Sequence, residues 1–165
     1  MRVVIGLGSN LGDREATLER AVAAIAALPG VTTVARSRWR ETEPVGGPPD
    51  QGPFLNGAVL VDSALDSEVL LARLLDIERA LGRVREGVAR FGPRAIDLDL
   101  LFAGDLVVRS EALEIPHPRL RERVFALEPL VELWPDARDP RDGAPLAQVL
   151  VTLLCPARGP DTMSP

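Results

Sequence analysis

The chain has 165 residues, 46% of them hydrophobic, and a formal net charge of −5. That length and composition suit one globular domain with a full core and exclude a disordered chain. The acidic balance argues against a general nucleic-acid binder, which needs a basic surface to neutralise phosphates. No apolar run approaches the ~20 residues of a bilayer span, and the N-terminus lacks a secretory signal pattern. Cys155 is the single cysteine and His117 the single histidine, which excludes an internal disulfide, a cysteine metal cluster and a multi-histidine zinc site. The expectation is a cytoplasmic protein with no membrane and no nucleic-acid partner.

In chain order, Arg2 to Leu7 is a short β-branched run, expected as a central strand. Gly6-Leu7-Gly8-Ser9-Asn10-Leu11-Gly12 follows. Its third glycine falls one position late for a dinucleotide fingerprint, so a glycine-permitted turn is the plainer reading. Asp13 is placed to cap a helix over Arg14–Leu28, where Leu18, Val22, Ile25 and Leu28 recur at helical spacing. Val31–Arg40 reads as a second strand. Glu41–Pro53, with four prolines and three glycines, reads as a long loop of the kind that carries function. Phe54–Asp62 is a third strand, with Phe54, Asn56, Ala58 and Leu60 on one face. Asp66 or Ser67 caps a helix running to about Leu81, and Glu78 lies beside its apolar stripe.

Gly82–Pro93 is a second long loop carrying Arg83, Arg85, Arg90 and Phe91. The strand Ala95–Phe102 comes next, then a Gly104-Asp105 hairpin turn into Leu106–Arg109. Ile115–Pro118 is extended by its prolines. Arg119–Leu133 is expected as a helix in which Pro129 starts a new segment or makes a kink, and Pro145–Leu154 as a last short helix. Residues 156–165 read as a flexible tail behind a single domain spanning 1–155. The first four strands and two helices run β-α-β-β-α-β. The expected class is α+β with a ferredoxin-like core, an antiparallel sheet with helices on one face. The other face would carry Asn56, Asp97 and Asp99 beneath the two loops.

Asp97 and Asp99 are the feature that asks for chemistry. Two residues apart on a strand, they point the same way, about 6.5–7 Å apart by two steps of strand rise. Ile96, Leu98 and Leu100 point to the opposite face. A solvated sheet face with incidental acids is one reading. A divalent-metal site is the other, since like charges held together repel unless water or a cation screens them. Every one of the 19 basic residues is arginine, so a single arginine says little by itself and position must supply the argument. Over residues 83–123 there are eight arginines against seven acids, and eleven against seventeen elsewhere. Positive charge therefore gathers around the acidic strand. Oxygen ligands without cysteine or a histidine cluster suit Mg²⁺, and arginines beside them suit a polyphosphate. Together they point to a Mg-nucleotide transferase with a second substrate covered by loops, and no Walker A motif is present.

The segment Arg90-Phe91-Gly92-Pro93-Arg94-Ala95-Ile96-Asp97-Leu98-Asp99-Leu100-Leu101 resembles the signature of the 6-hydroxymethyl-7,8-dihydropterin pyrophosphokinases of folate biosynthesis. The resemblance runs over about residues 3–155. It includes Gly8–Gly12, Thr42-Glu43-Pro44-Val45-Gly46, Phe54-Leu55-Asn56, Gly82–Arg85, Pro116-His117-Pro118 and Arg123-Val124-Phe125. It implies a ferredoxin-like enzyme, acting as a monomer, that moves the β,γ-pyrophosphoryl group of ATP to the hydroxymethyl oxygen of the pterin and releases AMP. On that resemblance Asp97 and Asp99 would hold two Mg²⁺ ions with the triphosphate, and Arg83 and Arg94 would join them as the catalytic group. Thr42, Val45, Phe54, Asn56, Phe91 and Phe125 match the pterin pocket. Arg85, Arg94, His117, Arg121 and Arg123 match positions facing ATP, and Glu78 matches an acid beside that set, its role open. Phe91 stands where some members have Trp, Phe54 where others have Tyr, Pro118 where some have Tyr, and Glu43 where some have Pro.

Overall fold

The computed structural model describes residues 1–83 and 92–155. Arg85, Arg90 and Phe91 of the second loop, and the tail 156–165, lie outside the described residues.

Strand β1 (Arg2–Ser9) occupies the middle of an antiparallel sheet. It pairs on one side with β4 (Phe54–Ser63) and on the other with β5 (Asp97–Phe102). The expected single strand over 31–40 is two pieces, β2 (Val31–Arg36) and β3 (Arg40–Thr42), which pair successively along the outer edge of β4. The break between them has a packing cause. A Cβ on Gly57 would lie 2.4 Å from the Trp39 ring, so Trp39 crosses over β4 where no side chain stands. The strand order is β2-β4-β1-β5.

Helices α1 (Arg14–Ala26) and α2 (Ser67–Ala80) cover one face of this sheet. Asp13 caps α1 as the sequence predicts, its carboxylate accepting from the Ala16 N–H at 3.0 Å. The apolar alternation of β1 sends Val3, Ile5 and Leu7 into this layer, against Leu18 and Ile25 of α1 and Leu70 and Leu74 of α2. Each such buried aliphatic side chain stabilises the fold by roughly 1.5–3 kcal/mol.

The opposite face departs from expectation. It is not left to loops. A 3-10 turn (Leu120–Glu122), α3 (Val124–Leu133) and α4 (Leu146–Leu154) build a second core on it with Val4, Ala58, Leu60, Leu101 and Phe102. Phe102 meets Trp134 edge-on at 5.3 Å. Pro129 neither begins nor ends α3 but sits buried inside it. The hairpin expected after β5 is also different. The turn at 104–105 forms, yet β6 (Val108–Arg109) pairs with β7 (Glu114–Ile115) rather than with β5. Among the described residues no helix is long and apolar enough to cross a membrane.

Candidate active site

The second core fills only part of its sheet face. At the remaining end a cleft of about 480 Å³ opens over β1, β4 and β5. Its floor follows from β1, whose residues on this face run Val4, Gly6, Gly8. Gly8 lies between Asn56 and Asp97, and Gly6 between Ala58 and Asp99. A Cβ on Gly8 would stand 2.6 Å from Asn56 Oδ1. These two glycines are therefore strand residues that keep the floor open, and the turn leading to α1 is made further on, around Gly12.

One end of the cleft is lined by Thr42, Val45, Phe54, Asn56 and Phe125. Asn56 Nδ2 donates to Thr42 Oγ1 at 2.5 Å, which orients the amide. The other end is acidic and basic at once. Asp97 accepts from Arg94 Nη1 at 2.6 Å and from Arg83 Nη1, which also donates to Glu78. The left-handed Gly82 (φ +89°) turns the chain after α2 so that the Arg83 N–H returns to the Glu78 carbonyl. Burial acts to lower the Arg83 pKa, and the Asp97 and Glu78 charges outweigh it and raise it.

Glu78 does not line the cleft. It is buried behind β5, accepting from Arg83 and, at 2.8 Å, from the Leu98 N–H on the outer edge of that strand. It thus anchors the edge of the acidic strand.

Asp99 lines the same cleft. Burial pushes its pKa up to about 7, helped by the Asp97 charge, while Arg123 and Arg83 offset this only in part. His117 lines the cleft nearby. Burial first, then Arg123, lowers its pKa to about 4, so the ring is neutral at pH 7. Its Nδ1 accepts the Arg119 N–H at 3.1 Å, which leaves the proton on Nε2 as a donor. Arg123 lines the same end and stacks at 5.6 Å over Phe125.

Of the expected site residues, the fold brings together Thr42, Val45, Phe54, Asn56, Arg83, Arg94, Asp97, Asp99, His117, Arg123 and Phe125. Arg121 stands outside that lining. It turns away to Asp142 at 2.5 Å and Asp139 at 3.6 Å, because the chain at 120–122 is a tight 3-10 turn that sends Arg121 toward the C-terminal segment. Arg119 takes a place in the lining that the sequence reading did not give it, and Glu43 stands at the mouth. Arg119 and Arg123 are four apart, a helical spacing that offered a signal.

The chain matches the family model of the 7,8-dihydro-6-hydroxymethylpterin-pyrophosphokinases over residues 4–135. It belongs to that family. A 2-amino-4-hydroxy-6-hydroxymethyldihydropteridine pyrophosphokinase of Methylorubrum extorquens is 50% identical over 135 residues, 82% of this chain and 84% of that protein. The pyrophosphokinase of the same description from Bacillus subtilis is 46% identical, over 78% of this chain and 75% of its own. A mitochondrial folate synthesis bifunctional protein of Pisum sativum is 43% identical over 83% of this chain, which spans only 26% of that longer protein. In structure, the fold resembles an HPPK-DHPS crystallised with its substrates, with a TM-score of 0.67 over 92% of this chain and 43% of that one, at 13% identity.

Proposed function

We propose that this pyrophosphokinase transfers the β,γ-pyrophosphoryl group of ATP to the hydroxymethyl oxygen of 6-hydroxymethyl-7,8-dihydropterin, a step of folate biosynthesis. The hydroxymethyl oxygen forms a bond to the β-phosphorus, the bond from that phosphorus to the α,β-bridging oxygen breaks, and AMP leaves. The observation that carries the reading is a single cleft with two chemically distinct ends. The aromatic and amide end suits a flat heterocycle with donors and acceptors on its rim, and the Asp–Arg end suits a polyphosphate.

Asp97 and Asp99 fit a pair of Mg²⁺ ions. They are two hard oxygen donors on one strand face, and the raised Asp99 pKa reflects desolvation together with the neighbouring Asp97 charge, which a cation would offset. Among the described residues no group of three or more candidate ligand side chains gathers, so the remaining positions would fall to phosphate and water. Bound there, the ions would neutralise the triphosphate and polarise the reacting phosphorus. The chain's own residues do the rest. Asn56 and Thr42 orient the pterin, and Phe54 and Phe125 flank it. Arg83 and Arg94 hold Asp97 in place, and Arg94, Arg123 and the neutral His117 offer donors to phosphate oxygens. Arg85 and Phe91 belong to this proposal from the resemblance alone.

The reading extends to a ferredoxin-like core, supported by the order β2-β4-β1-β5 with α1 after β1 and α2 after β4. It extends also to a cytoplasmic monomer: the resemblance implies the single subunit, and a lone cysteine suits a reducing compartment. Product analysis tests it: with Mg²⁺, ATP and the hydroxymethyl pterin, AMP and pterin diphosphate form in equal amounts. ADP as the nucleotide product would replace this reading with transfer of a single phosphoryl group.

A further inference from the structure

Glu78 is a buried acid to which the transfer reaction gives no task. Its side chain is 1% exposed and lies in the last turn of α2, where the helix dipole opposes a negative charge. Its Oε1 accepts from the Leu98 N–H at 2.8 Å and from Arg83 Nη1. Its backbone carbonyl accepts the Arg83 N–H at 3.0 Å across the turn at Gly82. The way α2 ends therefore holds Arg83 to Glu78 twice, once through the main chain and once through the side chains.

The same Arg83 Nη1 donates to Asp97 Oδ1, while Arg94 Nη1 donates to Asp97 Oδ2 at 2.6 Å. Both oxygens of Asp97 thus face guanidinium groups, and a divalent cation at Asp97 has to take one of them. The two arginines are not equally placed to yield. Among the described residues Arg83 has a second carboxylate, Glu78, whereas Arg94 has Asp97 as its one acid. The Arg83 side chain is 13% exposed, so losing every acid would strand a charge with little water around it. Losing Asp97 alone leaves it the pair with Glu78.

We propose that Glu78 is a positioning residue for the metal site, which keeps Arg83 paired when Asp97 turns Oδ1 from Arg83 to a divalent cation. The inference rests on the reading of Asp97 and Asp99 as the Mg²⁺ ligands. Glu78 touches neither ion nor substrate and acts through Arg83. Without its charge, Arg83 has only Asp97 and competes with the cation for it. Bracing the edge of β5 is a different task. It needs only an acceptor for the Leu98 N–H, which a glutamine oxygen also supplies. The two tasks therefore separate at Glu78→Gln.

Calorimetric titration of a non-hydrolysable ATP analogue, in EDTA and in saturating Mg²⁺, tests this. The ratio of the two affinities measures how far Mg²⁺ tightens binding, and any direct contact of Arg83 with phosphate cancels from it. In Glu78→Gln the tightening is expected to fall by about tenfold, with exchange protection of the Leu98 amide kept. Glu78→Gln combined with Arg83→Gln removes the competing cation as well, and the tightening should return to within about threefold of wild type. Full tightening in Glu78→Gln would overturn the proposal. So would a loss that persists in the double variant, since Glu78 would then act as a nearby negative charge. Lost protection at Leu98 in Glu78→Gln would leave bracing of the strand as its task and overturn the proposal likewise. The wild type supplies a readout that depends on no variant. Its Arg83 guanidinium proton signals in NMR should persist when Mg²⁺ and the analogue are added, and their disappearance would show that Glu78 does not keep the pair. A wild type whose binding of the analogue is not tightened by Mg²⁺ would overturn the metal reading itself, an outcome told apart by appearing before any substitution is made.

Discussion

Asp97 and Asp139 both sit among arginines, and the two clusters differ in what lies beside them. Asp139 is fully buried and accepts from Arg141 three times, from the backbone N–H at 3.0 Å, Nε at 2.8 Å and Nη2 at 2.6 Å, with Arg121 at 3.6 Å. The turn around it closes on itself, with Asp139 N–H bonded to the Ala144 carbonyl and the Gly143 N–H bonded to the Asp139 carbonyl. The Arg141 hydrogen bonds hold the Asp139 carboxyl below its ordinary value. Asp97 likewise has its two arginines, but Asp99 beside it has a pKa that desolvation pushes the other way, to about 7. One cluster is complete within the chain and ties down a turn. The other sets two carboxyl groups on one strand face and opens into a cleft, which is the physical mark of a site that expects a ligand.

The largest expected effect breaks this comparison at the catalytic side. Asp97→Ala or Asp99→Ala should each reduce turnover by about 10³-fold or more. Asp99→Asn should melt at or above the wild-type temperature in the absence of Mg²⁺, since it removes a buried charge. Near-native turnover in either alanine variant would sink the metal assignment, and a large fall in melting temperature would make Asp99 structural like Asp139.

Next comes the closed cluster. Asp139→Asn should cost about 2 kcal/mol of stability, because it strands the Arg141 guanidinium beside a neutral group. Denaturant unfolding measures the cost, and turnover per folded molecule should be unchanged. Unchanged stability would show that the cluster does not tie down the turn.

The two acids should also respond to pH with opposite sign. Between the ordinary value of 3.8 and about 7 the folded state holds a proton on Asp99 that the unfolded chain has released. Its contribution to stability therefore falls as pH rises through that window and is flat above it. Asp139, with its lowered pKa, behaves in reverse. Its stabilisation is fully present above 3.8 and is lost as pH falls through its folded value. Melting the protein without Mg²⁺ across pH 3–8, with Asp99→Asn and Asp139→Asn alongside, separates the two. Asp99→Asn should remove the decline between pH 4 and 7, and a decline that survives in it would refute the assignment.

The smallest effect sharpens the border between the clusters. Arg121→Ala should change KM for ATP by less than about threefold, as an arginine committed to Asp139 and Asp142. Arg123→Ala, two residues on and inside the cleft, should raise it about tenfold. Equal effects of the two substitutions would return Arg121 to the nucleotide.

The local parts of this protein were legible from its sequence for physical reasons. Strand alternation puts Asp97 and Asp99 on one face whatever surrounds them, and the same rule aligns Phe54 with Asn56. The Asp13 cap and the apolar stripes of α1 and α2 depend on spacings of three and four residues, which are written in the chain itself. The tertiary structure alone decided what depends on long-range partners. Gly8 is a floor rather than a turn because it falls between Asn56 and Asp97 across two strand pairings. The second face carries a core because α3 and α4 return to it. Arg119 and Arg123 enter the cleft while Arg121, between them, leaves it, because its acids come from the turn at 139–142. Asn10 finds its hydrogen-bond partners only when segments 41 and 84 residues away arrive at its two sides. Periodicity encodes which face a residue takes, and only the folded chain determines what it meets there.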